Sequence, residues 1–98
     1  MNKPVRVVFI DEAQEAYKQL NKTVGDQQTQ GKTKTDEIQL WNSIQQKISL
    51  IKQNPFYGDN IPKQQIPKTM NVTNLWRAEL TGYWRMLYTI KGDNIEVI

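Results

Sequence analysis

Two arginines stand in a β-prone stretch near the C-terminus, and their side chains are the ones in this sequence best suited to chemistry. The stretch reads LWRAELTGYWRMLY (Leu75–Tyr88) and carries Arg77 and Arg85. A guanidinium group offers planar donors that match the oxygens of a phosphate. The sequence has no histidine and no cysteine, which are the usual general base near neutral pH and the common zinc ligands. We therefore expect a site of arginine, lysine and carboxylate groups, with no metal and no cofactor.

The position of the two arginines follows from the alternation of side chains along the predicted hairpin. Burying a charge among the apolar residues of the second strand costs several kcal/mol, so the arginines belong on the other face. A three-residue loop, Leu80–Gly82 with Gly82 in the left-handed conformation, gives that arrangement. It predicts that Arg77 and Arg85 lie directly opposite one another, away from the apolar face made by Trp84, Met86, Tyr88 and Ile90.

Like charges directly opposite one another are mildly destabilising, so this arrangement requires a compensating anion. Glu79 is one candidate, because it shares the face of the two arginines. A bound phosphate group is the other. Tyr83 lies beside the arginines and can stack on a base or donate a hydrogen bond. The spacing leaves both interpretations open.

Positive charge is concentrated in one segment of the chain. The whole sequence carries a net charge of +3. Between Asn60 and Lys91, five basic residues stand against the single acidic residue Glu79, which gives 5 − 1 = +4. A local excess of this kind suits a polyanion or forms a solvated basic surface. The basic residues are Lys63, Lys68, Arg77, Arg85 and Lys91.

The 98 residues suffice for one domain, 1–98, and the apolar pattern places its elements. Alternation predicts strands, and spacings of three and four predict helices, the second capped by Thr35 and ended by Asn54-Pro55. The fold class is α+β in the order β-α-α-β-β-β, a helical hairpin packed on one face of a small, mainly antiparallel four-stranded sheet. The predicted strands are Pro4–Ile10, Leu75–Leu80, Tyr83–Lys91 and Ile95–Ile98, and the first helix runs from about Asp11 to about Val24.

A long connection, Pro55–Thr73, separates the second helix from the hairpin. It contains three prolines and repeats the tripeptide Ile-Pro-Lys at Ile61–Lys63 and Ile66–Lys68. Because proline holds its neighbourhood extended, we expect Lys63 and Lys68 to be presented on a stiffened segment. Connections of this length are usually functional or disordered, and a polar surface crossing with incidental lysines is the alternative.

The element order, the helix exit KQNPFYGD and above all NLWRAELTGYWRMLYTI followed by GD resemble the RelE/ParE superfamily of toxins from type II toxin–antitoxin systems. The resemblance implies a metal-independent endoribonuclease that cleaves messenger RNA in the ribosome through attack by the ribose 2′-hydroxyl. Arg85, Arg77 and Glu79 would then be catalytic. Lys63, Lys68 and Tyr83 would bind RNA.

The same resemblance leaves two alternatives, a ParE-like toxin that acts on DNA gyrase and a degenerate, non-catalytic module that binds antitoxin. RelE-like ribonucleases usually add a catalytic residue after the last strand, whereas this sequence ends at Ile98, so we expect the usual C-terminal tail to be missing. The implied partners are a cognate antitoxin, docked on the final strand NIEVI (Asn94–Ile98), and either messenger RNA with the ribosome or gyrase. No apolar run approaches the roughly 20 residues of a membrane helix, and a cytoplasmic protein is expected.

Overall fold

Two α-helices and a five-stranded sheet make up the computed structural model of the chain, which describes residues 5–98. The α+β class is confirmed, but the sheet has five strands rather than the four predicted. Pro4, where we expected the first strand to begin, lies outside the described residues. The elements are β1 (Arg6–Phe9), α1 (Asp11–Thr29), α2 (Asp36–Gln53), β2 (Asp59–Asn60), β3 (Trp76–Glu79), β4 (Arg85–Lys91) and β5 (Asn94–Val97).

The strands lie in the order β1-β5-β4-β3-β2. β1 runs parallel to β5, and the other neighbouring pairs are antiparallel. The final strand β5 therefore lies inside the sheet, with hydrogen-bonded neighbours on both sides. The prediction that Asn94–Ile98 offers a free docking edge is wrong, because β1 occupies that edge; the outer strands of the described sheet are β1 and β2.

The two helices differ in how well the sequence predicts them. α2 begins where expected, because the Thr35 hydroxyl accepts a hydrogen bond from the Ile38 N–H at 3.1 Å, and it ends at Gln53 before Asn54-Pro55. α1 continues to Thr29, past the predicted end near Val24. Gly25 does not stop it, since a glycine inside a helix costs only about 1 kcal/mol relative to alanine.

The core lies between the helices and the face of the sheet that carries the even-numbered residues of β3 and β4. This confirms the predicted separation of faces, because the arginines have odd numbers and lie on the other side. Trp84 has the parity of the core residues but is 63% exposed; it lies between the hairpin loop and the first residue of β4. The buried core comprises Ile44, Ile51, Ala78, Met86, Tyr88, Ile95 and Val97.

Tyr88 connects the end of α2 to the centre of the sheet. Its side chain is fully buried, and its hydroxyl donates a hydrogen bond to the Pro55 carbonyl and accepts one from the Gly58 N–H, each at 2.9 Å. Its ring stacks on that of Trp76 with centroids 6.4 Å apart. Burial raises the pKa of the Tyr88 hydroxyl, because the phenolate would lose its hydration.

The connection that follows is extended at its second and third prolines, as predicted, but not along its whole length: Pro62 has a ψ of 145° and Pro67 a ψ of 132°. Each Ile-Pro-Lys repeat leads into a single 3₁₀ turn, Lys63–Gln65 after Pro62 and Lys68–Met70 after Pro67. The prolines have φ of −56° and −58°, which also suits the residue before a 3₁₀ turn. Both lysines therefore occupy the first position of a short helical turn.

We predict that Tyr88→Phe destabilises the protein by about 1–3 kcal/mol, because it leaves the Gly58 N–H and the Pro55 carbonyl without their partner. Urea unfolding followed by circular dichroism measures the change. Tyr83→Phe is the matched control: its side chain is fully exposed, and its effect should stay within about 0.5 kcal/mol. Equal stability of the two variants would contradict the role given to the buried hydroxyl.

Stability should also fall at alkaline pH. The unfolded chain releases the Tyr88 proton near the ordinary pKa of 10.0, whereas the folded protein keeps it to higher pH. Above pH 10 the unfolded state binds fewer protons, so the free energy of unfolding decreases until the pH passes the raised pKa of the folded state. Urea unfolding across this range should show a steeper loss for the native protein than for Tyr88→Phe. Parallel pH profiles would count against this assignment.

Candidate functional site

Arg77 and Arg85 share the face of the sheet that points away from the helices, but they are not directly opposite one another. In the observed register Arg77 pairs with Leu87, and Arg85 pairs with Glu79. The arginines are thus diagonal neighbours on adjacent strands, a relation that places residues roughly 7–8 Å apart. The predicted face is right and the predicted pairing is wrong.

The displaced hairpin loop explains the difference. The Leu80 N–H donates to the Trp84 carbonyl at 2.9 Å, so the loop comprises Thr81–Tyr83 rather than Leu80–Gly82. Gly82 has a φ of +64°, as predicted. Moving a three-residue loop by one position shifts the pairing by two residues, which preserves the face of every side chain. Leu80 packs against the core, and this contact favours keeping it in the strand.

Each arginine has a carboxylate as its neighbour across the ladder. Glu79 stands opposite Arg85, and Asp59 stands opposite Arg77. Asp59 Oδ2 lies 3.6 Å from Arg77 Nη2. Two positive and two negative side chains therefore occupy one patch of the face, which we call the arginine patch (Asp59, Arg77, Glu79 and Arg85). Its formal charge is 2 − 2 = 0.

Both arginines nevertheless have hydrogen-bond donors available. The 3.6 Å separation between Arg77 Nη2 and Asp59 Oδ2 exceeds hydrogen-bond distance, and the Arg77 side chain is 38% exposed. Its Nε is buried and has no hydrogen-bond partner among the described residues, so a ligand would meet the terminal nitrogens rather than Nε. Arg85 is exposed and forms no ion pair within residues 5–98. A phosphate oxygen that approaches this patch can thus meet guanidinium donors without first displacing a tight salt bridge.

Asp59 is the residue of this patch that was not predicted from the sequence. It lies in the two-residue strand β2, which is too short for any alternation to reveal. The preceding glycine is a signal in the sequence. A Cβ on Gly58 would lie 2.7 Å from the Arg77 carbonyl oxygen, so only glycine lets β2 come this close to β3. The dipeptide Gly58-Asp59 is thus compatible with a tight backbone contact that sets a carboxylate beside an arginine.

The hairpin tip presents two aromatic side chains to solvent. Tyr83 is fully exposed, and Trp84 is 63% exposed. Tyr83 lies in the loop that joins β3 to β4, adjacent to the strands that carry the arginine patch. Exposed aromatic rings at such a position are suited to stacking on unpaired bases.

Lys63 and Lys68 line one common depression of about 390 Å³, which we call the lysine depression. The residues around this lysine depression include no carboxylate, and neither Arg77 nor Arg85 is among them. The sheet face next to it is partly covered, since Leu75 and Thr89 are each 1% exposed. The lysines and the arginines, predicted as parts of one site, therefore do not line a common depression.

An apolar groove of about 550 Å³ was not anticipated from the sequence. It opens between α1, α2 and the hairpin end of the sheet, and Arg85 lies at its border. The sequence gives little sign of it, because its lining residues read as ordinary core positions. The apolar lining includes Phe9, Tyr17, Leu20, Leu40, Trp84 and Ile98.

Two further observations concern the described residues. Nowhere in residues 5–98 do three or more potential metal ligands cluster. Neither α1 nor α2 is long and apolar enough to cross a membrane. What the arrangement offers is hydrogen-bond donation from arginines, with carboxylates close by.

Comparison with known proteins adds no relative from which a function can be transferred. No family model, no curated protein and no solved structure matches this chain. The resemblance to RelE/ParE toxins therefore depends on the motifs in the sequence itself.

We predict that Glu79→Gln increases the affinity of the protein for single-stranded RNA about two- to five-fold at low salt, because it removes a negative charge opposite Arg85. Fluorescence anisotropy with a labelled oligonucleotide measures the affinity. Glu15→Gln, an exposed residue on α1, is the matched control with the same change of net charge. If both variants gain equally, net charge alone explains binding and the arginine patch has no special role.

Proposed function

We propose that this chain is the toxin of a type II toxin–antitoxin system and a RelE-like endoribonuclease that cleaves messenger RNA in the ribosome. The observation that carries the proposal is the location of Arg77 and Arg85 on one face away from the helices, where the Arg77 side chain is 38% exposed and Arg85 is exposed. The hairpin motif that resembles this superfamily contains the same two arginines. In a cell, such a toxin would act in the cytoplasm and be held inactive by a cognate antitoxin.

In this proposal the arginines bind the scissile phosphate and stabilise the charge that develops on it. The ribose 2′-oxygen attacks phosphorus, and the bond to the 5′-oxygen of the next nucleotide breaks. Arg85 is exposed and lies at the open side of the patch, so it contacts the non-bridging oxygens. Arg77 donates from the neighbouring strand. Fixed donors aimed at such developing charge supply a large share of catalysis in many enzymes.

Proton transfer falls to the polar groups beside the arginines. The Glu79 carboxylate, opposite Arg85, accepts the proton of the 2′-hydroxyl. Tyr83, beside the patch, supplies a proton to the departing 5′-oxygen or stacks on a base. Lys63 and Lys68 hold the phosphates of the RNA strand farther along, in the lysine depression.

A second candidate is a toxin of the same superfamily that does not cleave RNA, either a ParE-like protein that acts on DNA gyrase or a module that only binds antitoxin. The observation in its favour is the zero charge of the arginine patch. Asp59 and Glu79 compensate the two arginines within the protein, so no bound phosphate is needed to offset their repulsion.

We predict that Arg85→Ala abolishes growth arrest when the chain is expressed in a bacterium, and reduces messenger RNA cleavage by about 100-fold or more. Induced expression with and without the adjacent gene, followed by mapping of RNA 5′ ends, measures both effects. Lys91→Ala is the matched control, because Lys91 is a cation of the same strand and face whose partner is Glu96, 3.0 Å away. It should retain toxicity.

The outcome separates the candidates. Growth arrest that persists in Arg85→Ala at equal protein abundance would exclude the ribonuclease. Arrest with intact messenger RNA and gyrase-dependent DNA breaks would support the ParE-like alternative. Harmless expression of the native chain would leave only the antitoxin-binding module.

A further inference from the structure

The outer edge of β1 has unused backbone hydrogen-bonding groups. The N–H groups of Arg6 and Ile10 donate towards β5, to Asp93 at 3.1 Å and to Val97 at 3.0 Å. Because successive peptide groups alternate in direction along a strand, the N–H and C=O groups of Val7 and Phe9 point away from β5. β1 is the last strand in the sheet order, and residues 5–98 provide no partner for these groups.

This edge lacks most of the devices that keep edge strands apart. Arg6–Phe9 contains no proline, no lysine and no glycine, and Arg6 is its single charged residue. The remaining residues, Val7, Val8 and Phe9, favour strand pairing. Such an edge is a template for another extended segment.

The two ends of β1 carry opposite charges that the molecule itself does not pair. Arg6 is exposed at the start, and Asp11 is exposed just beyond the end. Neither forms an ion pair among the described residues. In an antiparallel pair of two β1 strands, the start of one lies beside the end of the other, so both ends would bring unlike charges together.

We propose that the occupant of this edge is a second copy of the chain, paired antiparallel through β1 about a two-fold axis at Val8. Val7 then pairs with Phe9 of the second copy, Val8 lies opposite its own counterpart, and Arg6 lies opposite Ile10, next to Asp11. This register uses all the outward groups of Val7 and Phe9 and makes about four backbone hydrogen bonds. The two sheets join into one of ten strands, with both helical layers on the same face.

The charges of Arg6 and Asp11 favour the register centred on Val8 over the register centred on Val7. A two-fold axis at Val7 would also satisfy the direction of the backbone groups, but it would place Arg6 opposite Val8 and farther from Asp11. No like charges face each other in the Val8-centred register, so the contact is self-complementary. The strand is short, and the area buried is below that of a standard interface, so the dimer is weak and depends on protein concentration.

The test introduces charge on the two-fold axis. Val8 is half-buried, and its side chain points to the face away from the helices. Val8→Lys puts two lysines directly opposite one another and should weaken dimerisation at least tenfold, and Val8→Glu should do the same. An equimolar mixture of the two variants should recover a heterodimer, which also shows that both variants fold. Sedimentation equilibrium from about 10 µM to about 1 mM measures the association.

Asn60→Lys, on the opposite edge strand β2, is the control for added charge and should leave the dimer unchanged. Arg6→Asp tests the register, because it sets like charges side by side at both ends and should weaken dimerisation. A native protein that stays monomeric over the whole range would overturn the proposal. So would a mixture that fails to associate, or an equal effect of Asn60→Lys. The proposal does not depend on the toxin function.

Discussion

The hydroxyl of Tyr88 is the contact on which the arrangement of the candidate site depends. It is a polar group in a fully buried position, and such a group is costly unless it is hydrogen-bonded. Its two partners, the Pro55 carbonyl and the Gly58 N–H, both belong to the segment that leaves α2. The core therefore fixes the path of the chain at Gly58, and Asp59 follows in the next position. A tyrosine that faces the helices thus determines which carboxylate stands beside Arg77 on the other face of the sheet.

The hairpin shows how far a period-two pattern determines structure. Hydrophobic alternation fixes the face of each side chain, since a shift by one residue would bury Arg77 and Glu79 among tryptophan and methionine. It does not fix the pairing, because a shift by two residues leaves both faces unchanged. The choice between those registers is made by whether Leu80 belongs to the loop or to the strand. Its packing against the core decides that, and it is a tertiary contact that the local sequence does not contain.

The difference between local sequence signals and tertiary contacts also explains which of the other elements could be predicted. α2 was predictable because its start, its apolar stripe and its end are all local signals: the Thr35 cap and the Asn54-Pro55 stop coincide with the observed bounds. The end of α1 was not, because Gly25 only lowers helix stability slightly, and the Thr29 hydroxyl donates back to the Gly25 carbonyl at 2.9 Å. β2 has two residues, so it exists only through its partner β3. The only local sign of β2 in the sequence is Gly58, where a side chain would collide with the Arg77 carbonyl oxygen.

The arginine patch is not a general basic surface, because its two arginines stand opposite two carboxylates. Residues paired or diagonal across strands lie within roughly 5–8 Å, which is no more than the screening length of about 8 Å at physiological salt. A distant polyanion therefore senses the arginine patch as nearly neutral, whereas the lysine depression is lined by two lysines and no carboxylate. Arg77 and Arg85 become effective only at hydrogen-bonding distance, where the direction of their donors matters more than their charge. In the proposed function, such a patch would hold one phosphate in a defined orientation and would attract nucleic acid weakly otherwise, as a site confined to a prearranged substrate requires. A solvated basic surface would show the reverse, strong attraction with no preferred orientation.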